Sequence, residues 1–142
     1  IPWKSRNDLL TVHGNYIHQS SDLLGTLASG SVSLASHDLN FERLDAVYHV
    51  GNRYSFDVGP FAITGTSDPF LYAQAPVSGS ATGNPRTDGY ILNISYWPVQ
   101  NIQLGAQYTG YLKFNGLGVN YDGAGRNASA NNSIYLIAWF VF

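Results

Sequence analysis

The chain contains no cysteine and no methionine, and only 11% of its 142 residues are charged. Without cysteine there can be no disulfide, no thiolate metal site and no thioether-linked haem on these residues. A soluble domain usually carries ~25% charged residues, since water solvates charge on its surface. A surface facing lipid must exclude charge instead. Long apolar runs are also missing. None approaches the ~20 residues that a membrane-crossing helix needs, and the longest, Ile134 to Phe142, is strand-sized. A formal net charge of −2 gives no reason to expect nucleic acid as a partner. The chain opens at Ile1, Pro2 and Trp3 with no signal peptide, as expected of a segment of a longer polypeptide.

Gly, Ser, Asn, Thr and Tyr stand where charge is lacking, and aromatics reach 14%. Six segments alternate apolar with polar or small residues at period two, the pattern of a strand with two unlike faces. They cover about residues 8–18, 41–50, 53–64, 88–98, 102–114 and 133–142. No sustained helical period is present, so helix is not expected. The connections alternate in length. Residues 51–53 and 98–101 form tight turns, whereas Gly, Ser and Asn fill the long linkers 19–41, 65–88 and 114–132. Short turns at one rim and long loops at the other describe an outer-membrane barrel. The expected fold is therefore all-β: residues 1–142 as a single segment, the C-terminal six strands of a larger antiparallel up-and-down transmembrane β-barrel.

If the last strand ends at the periplasm, the long loops are extracellular. Alternation then sends outward Leu10 to Tyr16, Leu44 to Val50, Tyr54 to Pro60, Tyr90 to Tyr96, Ile102 to Tyr108 and Ile134 to Phe142, every second residue of each run, and none of that set is charged. The opposite set would line the lumen: His13, Asn15, Arg43, Asp45, His49, Asp57, Asn93, Trp97, Gln107, Tyr111, Lys113, Tyr135 and Trp139. Lys or Arg on the lipid face costs ~2–4 kcal/mol at mid-depth, so a bilayer would impose this sorting. Tyr48, Tyr54, Tyr96 and Phe142 fall near the short-turn rim, and Tyr16, Tyr90 and Phe114 toward the loops, as interfacial aromatic girdles do. Pro60 forfeits a ladder hydrogen bond in mid-strand, which predicts a bulge or a misplaced strand.

Apolar residues at Ile134, Leu136, Ala138, Phe140 and Phe142, alternating back from a terminal Phe, resemble the signal read by the barrel assembly machinery. The opposite side of that strand carries Tyr135, Ile137, Trp139 and Val141, and Phe61, Ile91, Trp97 and Tyr111 join it inside. Such an inner wall fits either a constriction packed by the chain itself or an occupant of the barrel. His13 and His49 would face inward near Asp45 and Asp57, but no ligand-spacing motif supports a metal. His18 and His37 carry no signal. Asp122 among several Asn is a poor calcium site, and a self-bonded surface loop is the expectation for residues 114–132. No nucleophile triad, carboxylate pair or phosphate loop is present, so an enzyme is not expected.

Ile102 to Gly116, followed by Asn120 to Asn132 and the closing strand, resembles the C-terminal region of beta-proteobacterial outer-membrane proteins of the porin–cytochrome type. Proteins of that group are often labelled cytochrome c or found beside multihaem cytochromes. Leu10 to Ile17, Leu71 to Ala73 and Gly79 to Pro85 fit the same pattern. The resemblance implies a barrel that sheathes c-type haem carrying electrons across the outer membrane. It brings no site residues with it. Since Cys-x-x-Cys-His is absent, any haem c would sit on residues outside this segment or on a partner such as a multihaem cytochrome. A general diffusion porin and a structural or adhesive surface barrel are the rival expectations. Six strands fall short of the ~8 with which single-chain membrane barrels begin, so further strands are expected.

Overall fold

The computed structural model of the chain describes residues 8–141. Its core is one six-stranded antiparallel sheet in the simplest order: β1 (Leu9–Asp22), β2 (Ser36–Val50), β3 (Tyr54–Gly65), β4 (Thr87–Val99), β5 (Ile102–Lys113) and β6 (Ser133–Phe140). Each strand pairs only with its neighbours in sequence, so β1 and β6 are open edges. Tight turns join β2 to β3 and β4 to β5. Gly51 opens the first with φ 56°, a left-handed conformation in which a Cβ would be penalised.

β1 and β2 reach further toward the long loops than alternation predicts. Asp22 pairs with Ser36, so β1 and β2 run several residues past the expected ends. Gln19 to Asp22 are polar on both faces and Ser36 to Asn40 carry Leu39 alone among polar residues, so period-two patterning is silent there even though the backbone ladder continues. One five-residue helix, α1 (Leu24–Ala28), caps this hairpin, against the expectation of none. It is too short for a helical period to be read in sequence. A 3-10 turn (Ala128–Asn131) precedes β6.

Pro60 makes no bulge. β3 passes straight through it and stays paired to β4, with Pro60 opposite Tyr90. Pairing to β2 lapses at this point, between Arg43↔Phe61 and Ala46↔Val58. The missing N–H thus costs a local gap on one side only.

A bulge does occur where none was expected. Gly89 pairs with Tyr111, but Asp88 pairs with Lys113, and Leu112 is left over. Asp88 shares the side of Tyr90 by strand alternation, so Lys113 is carried to that side as well. Its placement in the inward set is corrected: the extra residue in β5 inverts parity after Tyr111.

The two faces have opposite exposure from those of a water-soluble sheet. One presents apolar side chains to the outside, among them Leu44, Phe56, Val58, Ile94 and Leu136, the last 84% exposed. The other is the more enclosed and holds buried polar groups: Asp45, Ser55, Ser95 and Thr109. The fully buried apolar side chains lie elsewhere. Val32, Tyr121 and Ala128, the buried apolar core among the described residues, all belong to the long loops.

Candidate functional site: the polar face and the loop layer

Reading the registers across the sheet puts the polar face in rows. His13 lies opposite Asp45, and Asn15 opposite Arg43. Asp57 lies opposite Asn93, which lies opposite Gln107, which lies opposite Tyr135. Arg43 ties the first rows together: its Nε donates to Asp45 Oδ1 at 2.8 Å, and its terminal nitrogen stands 3.8 Å from Asp57 Oδ2. Gly59 makes this possible, because a Cβ there would collide with the Asp45 carboxylate. Asp57 Oδ1 and Asn93 Oδ1 are buried acceptors on facing residues, and neither receives a hydrogen bond from the described residues.

Toward the short turns, His49 pairs with Ser55, and Gln103 donates to Ser95 Oγ at 3.1 Å. Trp97, His49, Arg53 and Val99 help to line an open hollow of about 780 Å³ at that rim. Trp139 faces Gln103 from β6. Toward the long loops the same face becomes aromatic. The Phe61 ring lies over Gly89, where any Cβ would strike it. Phe61 meets Tyr111 edge-on at 5.8 Å, Tyr111 meets Phe114 at 5.3 Å, and Phe114 meets Tyr121 at 4.9 Å. This chain of rings carries packing from the sheet into the loops.

The lumen candidates His13, Asn15, Arg43, Asp45, His49, Asp57, Asn93, Gln107, Tyr111, Tyr135 and Trp139 thus share one face, whereas Lys113 follows the β5 bulge and Trp97 falls at a second register shift, between Tyr96 and Val99. Ile134, Leu136, Ala138 and Phe140 lie on the apolar face of β6, opposite Tyr108, Ala106, Leu104 and Ile102. Phe142, the last residue of that motif, lies outside the described residues. The aromatics near the short turns include a stacked pair, Tyr54 on Tyr96, at 4.9 Å.

The loops form a bonded layer. Asp68, at the start of the β3–β4 loop, is wholly buried. One carboxylate oxygen accepts the N–H groups of Ser33 and Leu34 from the β1–β2 loop, and the other accepts those of Phe70 and Leu71. Burial alone would raise its pKa, but these backbone donors outweigh burial and hold the carboxyl well below its usual range. His37, to which the sequence assigned no role, is buried with Nε2 3.0 Å from the same carboxylate. No periodicity could have marked it, since His37 lies at the start of β2 and its partner lies in the β3–β4 loop.

Asp122 does the same work in the β5–β6 loop. It accepts N–H bonds from Val77, Ala124 and Arg126, and these donors, again outweighing burial, lower its pKa. Ser80 is a third hub: its hydroxyl donates to Asn115 O at 2.7 Å and accepts from Asn84 N at 3.0 Å. The loop of residues 114–132 is therefore bonded to its neighbour as well as to itself.

The four histidines do not converge. His18 Nδ1 is 2.8 Å from Asn40 Oδ1, and His37 Nε2 stands 3.0 Å from Asp68 Oδ2. Among the described residues no three His, Cys, Asp or Glu side chains group to hold a metal. Haem c fits no residue set in this chain either, as cysteine is absent and the histidines are apart. No helix among the described residues is long and apolar enough to cross a membrane, which leaves strands unaddressed. Comparison with protein families, with curated proteins and with solved structures finds no match to this chain.

Proposed function

We propose that this chain is part of the wall of a porin-like outer-membrane β-barrel that sheathes an electron-carrying cytochrome. One observation carries the membrane part of the reading: the apolar face is exposed, while the opposite face buries polar groups along its middle strands, at Asp45, Ser55, Ser95 and Thr109. In water that arrangement is unfavourable by ~25 cal/mol for each Å² of apolar surface left wet. Lipid removes the penalty. The outward stretch of β5, residues 102–110, also matches the ~9–11 residues of a tilted membrane strand.

Open edges support further strands. β6 has no charge, proline or glycine to blunt its edge, and Ile134, Leu136, Trp139 and Phe140 are all more than half exposed. Such an edge calls for a neighbour.

The sheath reading rests on the resemblance of the β5-to-β6 region to porin–cytochrome proteins and on the aromatic strip of Phe61, Tyr111 and Tyr135. A second reading, a diffusion porin, is favoured by the band of Arg43, Asp45, Asp57 and Asn93, whose unmet acceptors suit a wet interior. The absorption spectrum of the native complex separates the two. Haem bands that co-purify in fixed proportion support the sheath; an intact, haem-free complex that conducts small solutes overturns it and leaves the porin.

A further inference from the structure

On the apolar face, going from mid-strand toward the long loops, charge first appears in one row of directly opposed residues. Tyr16 faces Glu42, Glu42 faces Ala62, Ala62 faces Asp88, and Asp88 faces Lys113. The row closest to it on the turn side is uncharged: Gly14, Leu44, Pro60, Tyr90 and Gly110. The Tyr90 ring packs against Gly110, whose missing Cβ leaves room for it, and its ring centre is 6.0 Å from that of Tyr108. The charged row therefore begins where a tyrosine pair ends the apolar zone.

The β5 bulge makes this row cationic at one end. Without it, Lys113 would fall on the opposite face. With it, Lys113 Nζ lies 3.8 Å from Asp88 Oδ2, and Arg86 Nε lies 3.0 Å from the same oxygen. Two cations thus share one carboxylate. Both are about half exposed, and Arg86 engages Asp88 through Nε, so its two terminal nitrogens stay available. Glu42 is two strands away in the row, about 10 Å off, too far to neutralise the pair directly. A guanidinium fork beside an ammonium matches the oxygens of a phosphate.

We infer that Arg86 and Lys113 bind the phosphate of an anionic lipid headgroup at the loop-side edge of the membrane. This rests on the barrel-wall reading, which puts the row at the interface.

The test uses the full native polypeptide reconstituted into vesicles of phosphatidylcholine doped with phosphatidic acid. Lipid retained after detergent extraction is counted by native mass spectrometry. The wild type should retain phosphatidic acid, and Arg86→Gln and Lys113→Gln should each lower retention about fivefold. Arg53→Gln, which removes a cation at the opposite rim, should leave it unchanged. Equal retention by wild type and the Arg86→Gln/Lys113→Gln double variant overturns the inference, as does an equal loss in Arg53→Gln. Resistance to alkaline extraction is scored in parallel. Proteins that insert but do not select the lipid sink the headgroup site alone, whereas a wild type that never inserts sinks the barrel wall too.

Discussion

The Tyr121 hydroxyl, buried in the β5–β6 loop, donates to the carbonyl of Val77 in the β3–β4 loop at 2.6 Å. Asp122 beside it accepts the Val77 N–H at 3.1 Å, so both sides of one residue are gripped by the facing loop. Val77 needs the grip. Its φ is 73°, and Ser78 N bonds to Pro76 O across it at 2.9 Å, a γ-turn of the rare strained kind. Tyr121→Phe should cost about 1 kcal/mol. Val77→Gly should gain about 1 kcal/mol by removing the β-branched side chain from the left-handed region. Hydrogen exchange at the amides of Val77 and Arg126 reads both signs, and a Val77→Gly variant that exchanges faster than wild type contradicts the account.

Acid should open the loop layer before the sheet. Asp68 and Asp122 both have folded pKa values below the usual 3.8, so the unfolded layer binds protons more readily. Their contribution is complete above the usual carboxylate range and is lost as pH falls through the depressed folded values. Protease resistance of residues 66–86 and 114–132 should hold at neutral pH and fall below about pH 4, with strand circular dichroism retained. Asp68→Asn should lower the resistance at neutral pH and flatten the acid response.

Depth along the apolar face should govern tolerance of charge. Ile94 sits mid-strand in an uncharged row, whereas Ala62 belongs to the row of Glu42 and Asp88. Ile94→Arg should lower folding stability in vesicles by ~2–4 kcal/mol, and Ala62→Arg by ~0–1 kcal/mol. Denaturant titration in lipid measures the difference. Equal costs would mean that the face has no depth profile.

Alternation made the strands and the two faces legible because a sheet between unlike media imposes its period on every residue it holds. Leu92, Ile94, Asn93 and Ser95 could be sorted on sight. Where both faces are polar, as at Ser20 or Asp38, the ladder continues unseen. Parity also fails silently at a bulge. Nothing in Tyr111-Leu-Lys113 announces the extra residue that turns Lys113 to the side of Asp88. The loop layer was the least legible part. Its organisers, Asp68, Ser80, Tyr121 and Asp122, act through backbone groups in other loops, and residue types alone do not say which N–H a carboxylate will accept.

These 142 residues contain no cysteine, so a thiol introduced among them is read against the unsubstituted polypeptide as background, and this permits the most direct test of the central claim. Asn93 and Ile94 are adjacent in β4 and face opposite sides of the sheet. Asn93→Cys and Ile94→Cys are reconstituted in vesicles and treated with a water-soluble maleimide. The account predicts that the thiol at position 93 reacts, from an aqueous interior, while the one at 94 stays protected by lipid until detergent is added and then denatured. Ready labelling at 94 in intact vesicles would contradict it, because the apolar face would then be meeting water.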